Sequence, residues 1–266
     1  MAAKVAALGP LAACVLLRTL NCSDTYVKEL DPLAACVSLQ TLNCYRTKVK
    51  SLAPLAVCTS LQTLVLSCVC YVEDLGPLAA CMLLKTLDCS NNRVAELGPL
   101  AACTFFKSLM CHWTVVTTLT PLAKGKLLQT LNCCHILVTA LGPLAACTLL
   151  QTLDCSDTGV AELGPLAACV SLQTLNCCAT QVANLGPLSA CVMLQTLDCF
   201  RARVVVLSPL AACTALVAVS CDERVPLAQV QYVQAACGSL VVKQYGYCSS
   251  RRDGPRVEHP ALHPTA

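Results

Sequence analysis

Residues 150–171 read LQTLDCSDTGVAELGPLAACVS, and residues 172–193 read LQTLNCCATQVANLGPLSACVM. The second stretch restates the first position by position. The same words surround Leu8, Leu30, Leu52, Leu75, Leu97, Leu119, Leu141, Leu163, Leu185 and Leu207, at intervals of 22 residues with one interval of 23. A period this strict means a single supersecondary unit stacked on copies of itself.

With Leu150 as position 1, apolar residues fall at positions 1, 4, 6, 11, 14, 17 and 20. The alternation at 4 and 6 predicts a short strand whose polar neighbours at 3, 5 and 7 face the other way. Thereafter the spacing lengthens to three. Pro at position 16, as in Pro32, Pro143 and Pro165, has no N–H to donate and disfavours a regular helix reaching the residue before it. Short 3₁₀ or extended turns are therefore expected where a long helix is not.

This pattern resembles the leucine-rich repeat, in the 22-residue class of the internalins and the nuclear phosphatase regulators, over residues 5–225. Leu150, Leu153, Cys155, Val160, Leu163, Leu166 and Cys169 fill that family's apolar positions in order. The resemblance implies a repeat solenoid, horseshoe-like, with a parallel β-sheet on its concave face and short turns on its convex face. One departure is consistent. The position usually held by Asn carries Thr25, Thr47, Thr114, Thr158 and Thr180, with Asn only at Asn92. A Thr hydroxyl can make part of the turn bonding, while Ile136, Ala202 and Arg224 are expected to make none of it.

Twenty-four cysteines in 266 residues would suggest a disulfide scaffold if only counted. Nine sit at position 6 (Cys22 to Cys221) and nine at position 20 (Cys14 to Cys213), both inward positions. Cysteine packs there as a small hydrophobe. Ladder neighbours are equivalent, so disulfide pairing would be ambiguous, and the reading is a reducing home, cytoplasmic or nuclear, with an extracellular surface as the alternative. Cys134-His135 with His112 one repeat earlier is the best metal candidate, but it closes no four-ligand set, and neither metal nor cofactor is expected.

The array is assigned to residues 1–226, a degenerate repeat or C-terminal cap to 227–248, and a disordered tail to 249–266, which is rich in proline and poor in apolar side chains. The chain starts inside a unit, with Val5 at position 11 and no polar cap before it, which predicts a poorly covered first half-repeat or a piece of a longer array. Lys4 with the apolar residues after it, and the LAAC box ending at Cys14, imitate targeting signals. The same box recurs at Cys36, Cys81 and Cys147, so the repeat explains it. No apolar run reaches the length of a membrane span.

Position 3 is nearly always Thr and position 5 mostly Asn or Asp, ladders whose monotony suggests structure. The copies differ at positions 7, 8 and 10, which carry Tyr45, Arg46, Lys48, Arg93, His112, Trp113, His135, Phe200, Arg201 and Arg203. Outward aromatic and Arg side chains are good interface anchors, so this set, Lys48 set aside, is the predicted partner-binding site. No phosphate loop, nucleophile elbow or HExxH motif is present, and the net charge of +3 is too small to argue for nucleic acid. The expectation is a non-enzymatic module that binds a protein partner through the concave strand face. The phosphatase-regulator likeness would imply a targeting subunit for a phosphatase or ubiquitin ligase, and the internalin likeness an adhesion or surface-antigen role.

Overall fold

Stacking 22-residue units whose strand positions coincide can only build a parallel sheet. The computed structural model, which describes residues 5–246, shows one of eleven strands in sequential order. They are β1 (Thr19–Asn21), β2 (Thr41–Asn43), β3 (Thr63–Val65), β4 (Thr86–Asp88), β5 (Ser108–Met110) and β6 (Thr130–Asn132). β7 (Thr152–Asp154), β8 (Thr174–Asn176), β9 (Thr196–Asp198), β10 (Ala218–Asp222) and β11 (Val241–Tyr245) complete it. Register follows the repeat, Thr152 opposite Thr174 and Leu153 opposite Leu175. With neighbouring strands about 4.8 Å apart, the sheet is roughly 50 Å long.

The return segment of each unit is a single five-residue 3₁₀ helix such as Gly142–Ala146, with Pro inside its first turn. There the missing proline N–H costs nothing, because first-turn donors have no intrahelical partner. The helix ends at the position-20 residue, whose φ and ψ leave the helical region while its N–H bonds the position-17 carbonyl (Cys147 to Leu144, 2.9 Å). The expected short turns are thus 3₁₀ helices throughout the array, ten of them among the described residues.

In the type unit Leu150, Leu153, Cys155, Val160, Leu163, Leu166 and Cys169 are all fully buried. At about 1.5–3 kcal/mol per buried aliphatic side chain, this seven-residue set drives each unit to stack. The thiols add direction. Position-20 thiols reach back to the position-17 carbonyl of the preceding repeat, as Cys169 to Leu144 (3.4 Å), Cys191 to Leu166 (3.3 Å) and Cys213 to Leu188 (3.2 Å). Position-6 thiols reach forward to the position-5 carbonyl of the next repeat, as Cys155 to Asn176 (3.4 Å) and Cys199 to Ser220 (3.3 Å). Two sulfur ladders therefore add ties between neighbouring units through weak S–H donors, which leucine could not do. Cys14 departs from the expected burial. It is exposed, standing at the first rung of its ladder among the described residues.

The one 23-residue interval is absorbed outside the sheet. Cys68 (φ 59°) and Cys70 (φ 67°) both take the left-handed conformation around a buried Val69, and the strand register is kept, Thr63 opposite Thr86. After β10 the chain forms α1 (Leu227–Ala236), the first α-helix among the described residues, and then β11. Helix α1 lies against the last 3₁₀ helix, with the Gln229 side-chain oxygen accepting from the N–H groups of Leu207 (3.1 Å) and Ser208 (3.2 Å). The Cys237 thiol continues the position-20 ladder by donating to the Leu210 carbonyl at 3.6 Å. The proposed tail 249–266 lies outside the described residues, as do 247 and 248 of the segment assigned as a cap.

Candidate functional site

A three-residue strand cannot run on, so each unit turns sharply after position 6, and the side chains that close this turn are the polar ladders of the sequence. The position-5 Asn or Asp accepts the position-7 N–H, as Asn43 from Tyr45 (2.9 Å), Asn132 from Cys134 (3.1 Å) and Asp198 from Phe200 (3.0 Å). Such side-chain turns are what Asn and Asp do well. The position-9 Thr hydroxyl donates to the position-6 carbonyl, at 2.6 Å from Thr158 to Cys155 and from Thr180 to Cys177. Between them position 8 is left-handed in unit after unit: Asp24, Arg46, Asn91, Trp113, His135, Asp157, Ala179 and Arg201 all have φ between 52° and 56°.

That conformation costs an L-residue roughly 1–2 kcal/mol. It persists because from Asp24 to Ala179 the N–H of each such residue bonds the position-7 carbonyl of the next repeat, as Trp113 to Cys134 (3.2 Å) and His135 to Ser156 (3.0 Å). The consequence is a rim. Equivalent left-handed residues carry their side chains out at the strand ends, one per repeat, beyond the Thr and Asn floor of the sheet. The predicted site residues at positions 7 and 8 therefore lie on this rim and not on the strands themselves.

Along the rim, neighbours in space are neighbours in repeat number. The rings of Trp113 and His135 stack at 4.0 Å between centroids with 15° between planes. His135 Nε2 lies 3.4 Å from the Asp157 carboxylate, so Trp113, His135 and Asp157 form one row across three repeats. His112, half-buried, stands in the position before Trp113, and Arg93 meets Glu73 at 3.6 Å. Arg46 lies 4.9 Å over the Tyr45 ring and 3.8 Å from Asp24. These outward pairs are too exposed to stabilise much. Their value is presentation, since Trp113 remains 55% exposed while its face is held.

Phe200, at a position that predicts an outward anchor, is instead only 6% exposed. Tyr245 of β11 packs against its ring edge-on at 5.3 Å, so the side chain closes the end of the sheet. Arg201, 5.4 Å over the Phe200 ring, and Arg203 stay on the surface. They stand three repeats beyond His135, so the structure does not bring them to the Trp113 row. Arg224, expected to make no turn bond, makes several. Its guanidinium grips Asp222 (2.8 and 3.0 Å) and also donates to the Ala202 carbonyl of the previous repeat (3.1 Å), and this holds the Asp222 carboxyl below its usual range.

The sequence reading missed Tyr26, Tyr71, Asp157 and Leu137. Tyr26 and Leu137 share position 10 with Arg93, and a full reading of that column would have found them. Tyr71 is hidden by the extra residue of its repeat, and both Lys48 (5.9 Å) and Lys50 (5.4 Å) lie over its ring. The thiols nearest the Trp113 row are not nucleophiles. Burial, helped by Asp154 at Cys134 and by Asp198 at Cys178, pushes both thiols up to about 12, so both stay protonated at neutral pH. Among the described residues no group of three His, Cys, Asp or Glu side chains is placed to hold a metal ion.

The comparisons with known proteins agree with this geometry. A family model for leucine-rich repeats in two copies matches residues 15–57. No curated protein sequence matches the chain. An internalin (InlF) from Listeria monocytogenes superposes with a TM-score of 0.85 at 20% identity, over 91% of this chain and 73% of its own. Internalin C2 from the same organism gives 0.65 at 26% identity, over 66% and 77%. The functional domain of the Listeria InlJ, described as including a cysteine ladder, gives 0.57 at 22% identity, over 79% and 59%. Repeat period, the family-model match over residues 15–57 and the fold concur, and the chain folds as a leucine-rich repeat solenoid built of 22-residue units.

Proposed function

We propose that the chain is a non-enzymatic protein-binding module whose partner docks on the strand-end rim around Trp113 and His135. The observation that carries this is a half-exposed tryptophan fixed at 4.0 Å against a histidine that is itself paired with Asp157. A pre-ordered aromatic anchor loses little entropy on binding, and such residues dominate interfaces. The neighbouring Arg93 and the half-buried His112 supply polar contacts at its border.

Proximity labelling and pull-down with the wild-type chain and with Trp113→Ala test this. A hot-spot tryptophan contributes about 2 kcal/mol or more, so the partner's affinity should fall by about thirtyfold or more. A partner held equally well by wild type, Trp113→Ala and Arg93→Ala would place the site elsewhere.

A second reading, an adhesion or surface protein, is favoured by one observation, the likeness to internalins, one of which is described as carrying a cysteine ladder. The reading of a reducing compartment rests on the repeated buried thiols. Thiol counting on denatured, unreduced protein from its native source separates the two. Close to twenty-four free thiols supports the reducing home, and a large deficit supports the surface.

A further inference from the structure

The edge of the solenoid opposite the rim has its own chemistry. Between each 3₁₀ helix and the next strand the chain makes an exposed turn at positions 21 and 22. In most repeats that turn presents bare apolar side chains, among them Val37, Met82 (59% exposed), Leu83, Phe105 (49%), Val192 and Met193. Successive turns are about 4.8 Å apart, so these side chains line an edge roughly 40 Å long, broken at Thr59-Ser60 and at Lys126. Exposed apolar side chains grouped on this scale mark a binding surface.

Its charges are of one sign. Positions 18–22 and 1–3 carry no Asp or Glu in any repeat from Ala12 to Ala218. Every described carboxylate lies at a strand end, in the following turn, or on the stretch up to the start of the 3₁₀ helix. The same positions do carry Arg18, Lys85, Lys107, Lys124 and Lys126, all exposed. Four of these five flank Met82, Leu83 and Phe105 in three successive repeats. Lys85 also donates to Gln62 Oε1 at 2.8 Å, along the strand face.

We propose that this edge docks the protein on an anionic lipid surface. A row of apolar side chains bordered by lysines and free of carboxylates is the composition that inserts shallowly at the headgroup boundary while its cations meet anionic lipid. Lysine stems can lie along the apolar ridge with their ammonium groups in the headgroups. The geometry favours a membrane over a protein partner. The row is one side chain wide in places and interrupted at Thr59-Ser60, and a fluid surface conforms to such a broken row. The site is independent of the rim around Trp113.

The test is co-sedimentation with phosphatidylcholine–phosphatidylserine vesicles and with phosphatidylcholine vesicles alone. The wild-type chain should bind the former and lose binding as salt is raised. Each lysine removed should weaken binding about fivefold, so Lys85→Gln, Lys107→Gln, Lys124→Gln and Lys126→Gln together should abolish it at ordinary salt. Met82→Ser, Leu83→Ser and Phe105→Ser together should do the same, and Trp113→Ala should change nothing. All these side chains are exposed, and unchanged circular-dichroism melting checks that each variant is folded. Equal binding to both vesicle types, no binding to either, or wild-type binding by the lysine or apolar variants would overturn the proposal. So would a protein partner lost in the apolar variant of a chain that ignores vesicles.

Discussion

Asn92 is the sole Asn of its column, and it follows the sole 23-residue interval. Its amide nitrogen donates to Leu66 (2.9 Å), Cys89 (3.1 Å) and Ser90 (3.1 Å) carbonyls, and its oxygen accepts from the Val72 N–H (3.3 Å). Leu66 and Val72 are the two ends of the loop that carries the extra residue, so Asn92 clamps that loop from the next repeat. A Thr at this position would keep only the bond to Cys89, as the five Thr of the column do. Asn92→Thr would therefore leave the Leu66 carbonyl and Val72 N–H, both buried, short of a partner. An unsatisfied buried polar group costs about 1–3 kcal/mol, partly relieved here by a long 3.4 Å bond from Val69 to Leu66. The expected loss is about 1–3 kcal/mol by urea unfolding, with faster amide exchange confined to residues 66–72. Asn92→Ala should cost more than Asn92→Thr, since it also frees Cys89. A loss below about 0.5 kcal/mol with unchanged protection of that loop would refute the clamp.

Three further outcomes follow from the same geometry. Ala179 sits at φ 53°, so Ala179→Gly should stabilise the fold by about 0.5–1 kcal/mol, read as a higher denaturation midpoint; a lower midpoint would show the turn is unstrained. Burial raises Cys81, Cys111 and Cys169 to about 12 and Cys58, Cys103 and Cys147 to about 11, against an ordinary 9.0. Above that ordinary value the unfolded chain ionises first. Each such thiol then removes about 1.4 kcal/mol of stability per pH unit until its folded value is passed. Six of them together exceed a typical stability of 5–15 kcal/mol within about one to two pH units, so circular dichroism should show alkaline unfolding by roughly pH 11. A chain still folded well above that would refute the argument. Finally, Cys22 and Cys44 have sulfurs 3.6 Å apart at the first described rung of the ladder, and the hydrogen bond between them lowers the Cys22 thiol. Mild oxidant should link these two first among the ladder cysteines, and peptide mapping that finds another ladder pair first would contradict this.

The solenoid was legible because it is written ten times. Apolar spacing gave the short strand, the buried set and the register, and Pro at position 16 gave the short return turn. What single residues do in the turn was less legible. Asn and Asp at position 5 read as a polar ladder on the sheet floor, but they cap the turn by accepting the position-7 N–H. The left-handed residue at position 8 has no signature at all. Glycine is the residue that usually announces φ > 0, yet here Trp, His, Arg, Asp and Ala take it, held there by hydrogen bonds to the next repeat. Local sequence could not show that, because the restraint comes from the neighbouring copy.

The candidate site was half legible for a related reason. Column-by-column variation picked out Trp113 and His135, and their equivalence one repeat apart is what stacks them. Variation could not separate Phe200 from Trp113, since both are aromatic residues in the turn of the unit. The difference is made by β11, which no repeat period reaches: Tyr245 covers Phe200, and nothing comparable covers Trp113. Sulfur chemistry follows the same logic. Read singly, Cys169 or Cys155 is a shrunken leucine that gives up apolar contact. Read as a column, these thiols donate to carbonyls of adjacent repeats, from Cys36 onward backward at position 20 and, at Cys22, Cys89, Cys111, Cys155 and Cys199, forward at position 6. A leucine would bury more surface but would bond to neither neighbour. In a repeat protein the interface between units decides whether the array holds, so a side chain that is weaker within its own unit can be the better one for the stack.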